Sequence, residues 1–149
     1  MNKLLKWDTE LFLFLNGLGG ERWDHFWLMV SEVEIWFPLY AVLLFLLIRF
    51  KDRRDWLLAL LVIVFNVVLT DQGSVQLFKE QFMRLRPCHV EALQDQLRLV
   101  KEGCGGKYGF ISSHASNTFG LAVLLGLLLR ERFPKLIYLL LLWATVVSF

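Results

Sequence analysis

Long apolar segments separated by short charged ones constrain this chain more than any other feature. Residues 26–48 form one such segment and contain "IWFPLYAVLLFLLI", and "WLLALLVIVFNVVLT" follows from Trp56. Two further runs, "FGLAVLLGLLL" and "LIYLLLLWATVVSF", lie near the end of the sequence. A helix needs about 20 apolar residues to cross a bilayer. The sequence therefore predicts an all-α fold, a polytopic transmembrane helical bundle with interfacial amphipathic helices.

The composition agrees with a membrane protein. Hydrophobic residues make up 56% of the chain and charged residues 20%, and the mean hydropathy is +0.52. Soluble domains are about 45–50% apolar. The net charge of +2 is too small, and the basic residues too scattered beside apolar runs, to indicate a nucleic-acid partner. No cleavable signal peptide is expected, because the N-terminus lacks a clean apolar core and a small-residue cleavage site.

Residues 1–149 are predicted to form a single membrane-embedded domain. Its first element is an interfacial helix at 8–17, begun by Asp8 and ended at Asn16-Gly17. The last apolar run supplies only 14 residues from Leu136 onward, fewer than a crossing needs, so we expect the bundle to be incomplete at the C-terminus and the chain to be a truncation. Four spans are predicted, at 26–48 (kinked at Pro38), 55–72, 112–129 and 134–149, with a loop at 71–112 between the second and third.

Charge density in the short loops predicts the orientation. "RFKDRRD" and "RERFPK" carry seven basic residues on one side of the bundle, which favours that side as cytoplasmic. The long loop at 71–112 then lies outside, where Cys88 and Cys104 are predicted to form a disulfide worth about 3 kcal/mol; two free thiols are the alternative. With His89 these cysteines match no zinc pattern, so we predict no metal and no cofactor.

Three cations mark the start of this loop: Lys79, Arg84 and Arg86. An amphipathic helix through "SVQLFKEQFMRL", capped by Asp71, places Lys79 two turns before Arg86, and proline at the next position restrains Arg86 to an extended backbone. A lysine point charge and an arginine fork suit phosphate oxygens. Arg84 fits better in a cationic collar at the interface, and the same collar is the alternative for all three.

The segment "ISSHASN" supplies groups of a different kind. Ser112 and Ser113 are good helix caps, and a helix start offers free N–H groups and the positive end of the dipole to an anion. His114 stands in the first turn, where an imidazole can protonate a departing alkoxide. Two cations, a helix N-terminus, a hydroxyl and an imidazole at one membrane face together favour phosphate-ester cleavage.

These residues resemble the signatures of the type 2 phosphatidic acid phosphatase superfamily. Lys79, six residues, and then Arg86-Pro87 match its first signature, and "SSH" at 112–114 resembles its second, Pro-Ser-Gly-His. The resemblance covers roughly residues 56–149 and implies a metal-independent lipid phosphatase. It implies that Lys79 and Arg86 bind the phosphoryl oxygens, that Ser112 and the amide of Ser113 stabilise the developing charge, and that His114 is the general acid.

Two departures from the family pattern stand out. Ile111 and Ser113 replace the usual proline and glycine of the second signature, which keeps a backbone N–H in place. Residues 1–149 lack the third signature, Ser-Arg with a later His and Asp, which supplies the nucleophilic histidine. We expect it to follow Phe149, and we expect the 149-residue chain to bind phosphate with little or no turnover.

The resemblance implies hydrolysis of a phosphate monoester or diphosphate of a lipid through a phosphohistidine. Polyprenyl diphosphate is slightly favoured on family prevalence, and phosphatidic acid and phosphatidylglycerol phosphate stay open. A phosphatase of a soluble phosphate ester and a non-catalytic membrane bundle are the alternatives. The expected setting is a bacterial inner membrane with the site on the periplasmic face and the lipid bilayer as partner. The oligomeric state is left open.

Overall fold

The computed structural model describes residues 2–100, 103–109 and 112–148, and Ile111 and Phe149 lie outside them. Helices dominate the described residues, whose isolated β-bridge joins Leu85 to Tyr108, so the predicted all-α membrane bundle is confirmed. The α-helices are α1 (Asn2–Gly17), α2 (Glu21–Ser31), α3 (Phe37–Phe50), α4 (Arg53–Gln72), α5 (Glu80–Phe82), α6 (Glu91–Gln94), α7 (Ser113–Leu128) and α8 (Leu136–Ser148); 3-10 turns at Val33–Trp36 and Pro87–His89 and a π-helix at Gly73–Lys79 complete them.

Two helical segments are long and apolar enough to cross a membrane, Val33–Phe50 and Arg53–Phe82. Only 11% of the apolar stretch in each is buried inside the protein, so most of these side chains face outward, where lipid would lie. The two apolar helices α7 and α8 have 16 and 13 residues, fewer than the roughly 20 that a full crossing needs. The predicted count of four crossings stays a prediction.

The N-terminal third differs from its predicted layout. α1 begins well before Asp8, so Asp8 does not cap it. The segment predicted as one span from 26 to 48 is divided, because α2 ends at Ser31 and Glu32 is extended. Pro38 lies in the first turn of α3, where its missing N–H costs nothing, and therefore does not kink a helix.

The helix that carries Lys79 is continuous with the second span. α4, the π-helix and α5 run without a break from Arg53 to Phe82, so Asp71 lies inside a helix and does not cap one. The helix ends at Met83, whose backbone is left-handed with φ 43°. The π-helix has i→i+5 hydrogen bonds. Its last residues therefore point in a different direction from the one that a continuation of α4 as an α-helix would give them.

Small residues let α7 pack closely on its two neighbours. A Cβ at Gly126 would lie 2.7 Å from Cβ of Ile137 in α8, and a Cβ at Gly120 would lie 2.8 Å from Oδ1 of Asn66 in α4. Nearby, Thr70 Oγ1 donates a hydrogen bond to Oδ1 of Asn117. The end of α4 is thus held against the start of α7, which brings the lysine segment and the "SSH" segment together.

Candidate active site

An open cleft of about 1060 Å³ lies where the long loop, α1 and the start of α7 meet. Every site residue predicted from the sequence lines it. The cleft therefore gathers cations, hydroxyls and an imidazole from segments that are up to 35 positions apart in the chain. These predicted residues are Lys79, Arg86, Ser112, Ser113 and His114.

Lys79 is tied to the start of α7 by a small polar cluster. Its Nζ donates a hydrogen bond of 2.7 Å to Oγ of Ser113, and Oγ of Ser74 lies 2.6 Å from the same oxygen. Ser74 is buried and lies one π-turn before Lys79, a proximity that the α-helical pattern did not indicate. The hydroxyl beside the lysine is thus that of Ser113, whereas the resemblance assigned the hydroxyl role to Ser112 and an amide role to Ser113.

The first turn of α7 has the predicted capping arrangement. Ser112 is the N-cap residue, with an extended backbone, and its Oγ accepts a hydrogen bond of 3.3 Å from the N–H of Ala115. The capping role of Ser112 is confirmed. His114 follows in the first turn with an exposed side chain at the cleft wall. The helix start directs its N–H groups and positive dipole end toward the space that the cations line.

Arg86 is held by its own loop. Its backbone is extended, with φ −62° and ψ 145°, as expected before a proline. Its N–H donates to the carbonyl of Lys107 at 3.0 Å. Nη1 donates to the carbonyl of Cys104 at 3.0 Å and Nε to that of Tyr108 at 3.4 Å. Neither of these two side-chain hydrogen bonds uses Nη2 of the guanidinium.

Two glycines let this loop close around the arginine. A Cβ at Gly109 would lie 2.7 Å from Cγ of Arg86, and a Cβ at Gly105 would lie 2.6 Å from its Nη1. Gly105 also has φ +65°, a conformation that other residues rarely adopt. The N–H of Gly109 donates to the carbonyl of Arg84 at 3.0 Å, so this bond and the one from Arg86 to Lys107 flank the β-bridge between Leu85 and Tyr108.

Cys88 and Cys104 are joined as a disulfide in the structure, with their Cα atoms 6.0 Å apart, an ordinary separation for such a bridge. The bridge ties the residue after Arg86-Pro87 to the residue whose carbonyl accepts from Arg86. Ligand atoms of Cys88, His89 and Cys104 all lie within 4.8 Å of one another. Two of the three are the disulfide sulfurs, which offer no thiolate to a metal.

Sequence reasoning did not find the contacts between this loop and the N-terminal helices. Arg84, predicted as an interfacial cation, lines the cleft and pairs with the carboxylate of Asp8 in α1. Arg98 pairs with Asp24 in α2 at 2.6 Å. Isolated charges in a loop carry no sequence signal for such distant partners.

Comparison with known proteins identifies relatives over most of the chain. The chain is 34% identical over 143 residues to the lipid A 4'-phosphatase of Bacteroides thetaiotaomicron, a match that covers 95% of this chain and 63% of that protein. It is 33% identical over 133 residues to the lipid A 4'-phosphatase of Porphyromonas gingivalis, over 89% of this chain and 56% of that protein. The chain therefore matches about six-tenths of each relative's length. No solved structure matches it.

The sequence pattern of the PAP2 superfamily, the type 2 phosphatidic acid phosphatases, matches residues 55–149. This range agrees with the 56–149 over which the signatures were recognised, and it includes the lysine, the arginine-proline pair and the "SSH" segment. The family match covers more than half of the chain and agrees with the two relatives. The chain therefore belongs to the PAP2 superfamily.

Proposed function

We propose that this chain forms the phosphate-binding part of a membrane lipid phosphatase. The observation that carries the proposal is the cleft in which Lys79, Arg86, Ser113 and His114 meet, with Lys79 donating to Ser113. A tetrahedral phosphoryl group needs several donors around it, and the cleft supplies an ammonium, a guanidinium, hydroxyls and a helix start. The names of the relatives agree with this class of reaction.

The proposed reaction proceeds in two displacements. A histidine of the third family signature, which residues 1–149 lack and which we place after residue 149, attacks phosphorus; a P–N bond forms as the P–O bond to the lipid breaks. His114 gives its proton to the departing lipid oxygen. Water then attacks phosphorus, and a new P–O bond forms as the P–N bond breaks. His114 takes up the water proton, inorganic phosphate leaves, and the attacking histidine is regenerated.

Lys79, Arg86 and the start of α7 stabilise the charge on the phosphoryl oxygens in both steps. The groups are fixed before substrate binds, since Ser113 and the carbonyls of Cys104 and Tyr108 already hold the two cations in place. Preorganised donors of this kind contribute more than donors that must rearrange during the reaction.

As substrate we propose the 4'-phosphate of lipid A or a closely similar lipid phosphomonoester. The support is the identity of 34% and 33% to two proteins named as lipid A 4'-phosphatases. The slight preference for polyprenyl diphosphate rests on family prevalence and on no particular residue of this chain. We also propose a bacterial inner-membrane location with the cleft on the periplasmic face, because a disulfide persists in an oxidising compartment.

The test is phosphate release by the purified full-length protein in detergent. Lipid A, phosphatidic acid, polyprenyl diphosphate and a water-soluble ester such as p-nitrophenyl phosphate are compared at equal concentration. We expect lipid A to give the highest kcat/KM. The highest value for the soluble ester would favour the soluble-ester phosphatase instead.

A non-catalytic membrane bundle is the other alternative, and binding separates it from the enzyme. We expect Arg86→Ala to weaken the binding of inorganic phosphate, because the arginine contributes a charge-assisted hydrogen bond. No phosphate release from any ester, together with unchanged phosphate binding in this variant, would favour the non-catalytic bundle.

A further inference from the structure

The two N-terminal helices are fastened to the catalytic loop through Arg98. The side-chain amide of Asn16 in α1 bonds both backbone groups of Arg98, with Nδ2 donating to its carbonyl at 3.1 Å and Oδ1 accepting from its N–H at 2.9 Å. The guanidinium of Arg98 donates to Oδ2 of Asp24 in α2 at 2.6 Å. One loop residue thus holds both helices, and all these contacts are partly buried.

A second fastening lies nearer the cations. Asp8, two turns before Asn16 on α1, pairs with the guanidinium of Arg84, two residues before Arg86. Both side chains are more than a third exposed, so this pair alone contributes little. Together with the two hydrogen bonds to Asn16 it fixes α1 at two points along its length.

One face of α1 forms a wall of the cleft. Leu5, Asp8, Phe12 and Asn16 line it, and their spacing of three or four positions places them along a single side of the helix. Further apolar residues of the loop line the same cleft. The cleft therefore has a polar end, with the two cations and the "SSH" segment, and an apolar wall, with Leu5 and Phe12 in α1 and Val90, Leu93, Leu97 and Leu99 in the loop.

The α1 side of this wall lies outside the part of the chain that carries the family pattern, which begins at residue 55. The match to the Bacteroides relative covers 95% of the chain and so extends over most of α1 and α2. The α1 side of the wall is thus not part of the matched superfamily region, but most of α1 falls within the sequence that this chain shares with that relative.

We infer that α1 is the substrate-selecting wall of the cleft, held in place by Arg84 and Arg98, and that it favours phosphate esters with a large apolar body over small soluble esters. The inference rests on the proposed function. An apolar body beside the phosphate buries surface against Leu5 and Phe12, which a small ester cannot do. Asn16, Asp8 and Asp24 act as positioning residues, because they act through the placement of α1.

The test removes contacts that hold α1 in place and leaves the phosphate-binding residues unchanged. In the full-length protein, Asn16→Leu keeps the size of the side chain and removes both hydrogen bonds to Arg98. We expect the ratio of kcat/KM for lipid A to kcat/KM for p-nitrophenyl phosphate to fall at least tenfold. The matched control is Glu10→Gln, an exposed carboxylate of the same helix that does not line the cleft, and we expect it to keep the ratio.

The second test exchanges the charges of Asp8 and Arg84. Asp8→Arg should lower the same ratio, and Asp8→Arg combined with Arg84→Asp should restore it at least in part, which a merely misfolded protein would not do. A ratio within threefold of the unmodified protein in Asn16→Leu, or no recovery in the exchanged pair, would overturn the inference.

Hydrogen exchange separates this inference from the proposed function. Lipid A added to the unmodified protein should slow backbone amide exchange in residues 5–17, whereas inorganic phosphate should not. If the unmodified protein hydrolyses neither ester, the proposed function fails, and this protection decides the inference alone. Equal protection by lipid A and by inorganic phosphate, or none by either, would overturn it.

Discussion

The two cations that are proposed to bind phosphate, Lys79 and Arg86, are held in different ways. Lys79 stands on a continuous helix of 30 residues, and its partner Ser113, which also contacts Ser74, is placed by the packing of α4 on α7. Arg86 stands on a loop, and its position depends on two carbonyls, two glycines and a disulfide. One half of the site is therefore built by helix packing and the other half by a cross-linked loop.

This difference predicts which substitutions will disturb Lys79 and which will disturb Arg86. A substitution at the α4–α7 contact should disturb Lys79 and the stability of the whole bundle together, because the same packing serves both. A substitution in the loop should disturb Arg86 and leave the bundle folded, since few bundle contacts depend on the loop. The predictions below separate the two halves, beginning with the largest expected effect.

Arg86→Ala removes one of the two cations that the reaction is proposed to use. The loss of one preorganised donor to a developing negative charge costs about 10²–10³-fold in kcat. We expect a loss of this size in lipid A hydrolysis by the full-length protein, with an unchanged midpoint of thermal unfolding. The control is Arg54→Ala, an exposed cation outside the cleft. Equal rates in the two variants would show that Arg86 is not part of the site.

Reduction of the disulfide should remove the cross-link from the loop half of the site. Closing a loop of this length stabilises the folded protein by about 3 kcal/mol in the chain-entropy account, so the free energy of unfolding should fall by about that amount after reduction. The double variant Cys88→Ser/Cys104→Ser should be less stable and should not respond to reductant. Thiols that react with a maleimide before any reduction would show that the bridge is absent.

Gly120→Ala should disturb the α4–α7 contact, which builds the helical half of the site. The new Cβ would lie 2.8 Å from Asn66 Oδ1 and 3.1 Å from Thr70 Cγ2, so these side chains or the two helices must shift. Overpacking of this kind costs about 1–3 kcal/mol, which thermal unfolding in detergent measures. Gly73→Ala is the matched control, because its Cβ would meet open space within a helix; we expect no loss, or a gain of up to about 1 kcal/mol. Equal unfolding midpoints would contradict the close α4–α7 contact.

Gly109→Ala should displace Arg86 without unfolding the bundle. A Cβ there would lie 2.7 Å from Cγ of Arg86 and 3.4 Å from its Cα, so the arginine must move. We expect inorganic phosphate to bind about tenfold more weakly, equivalent to about 1.4 kcal/mol. Gly106→Ala, in the same loop with open space around it, should bind as the unmodified protein does. Weaker binding in both variants would point to the loop in general.

The sequence predicted which residues meet in the cleft better than it predicted the contacts that support them. Lys79, Arg86 and the "SSH" segment could be predicted because their types suit a phosphate and their spacing resembles the family signatures. Ser74 was missed because the α-helical period does not place it beside Lys79, and a π-helix has no clear signature in one sequence. Asp71 was predicted as a cap because polar residues follow an apolar run, but the helix continues without a break from Arg53 to Phe82.

The N-terminal helices show a second limit of sequence reasoning. The side chains of Asn16 and Asp24 find their partner on Arg98, more than 70 residues later in the chain. Residues this far apart are brought together by the fold, and neither local spacing nor composition carries information about the pairing. The break at Ser31-Glu32 was missed for a related reason: Trp36 Nε1 donates to the carbonyl of Val30 at 2.8 Å and thereby satisfies the end of α2.

The structure of the full-length protein with orthovanadate bound tests the central claim most directly. The account predicts that vanadate lies in the cleft within about 3.5 Å of Lys79 Nζ, a guanidinium nitrogen of Arg86 and a ring nitrogen of His114. Vanadate that contacts only one of the two cations, or that binds elsewhere while the cleft stays open, would contradict it.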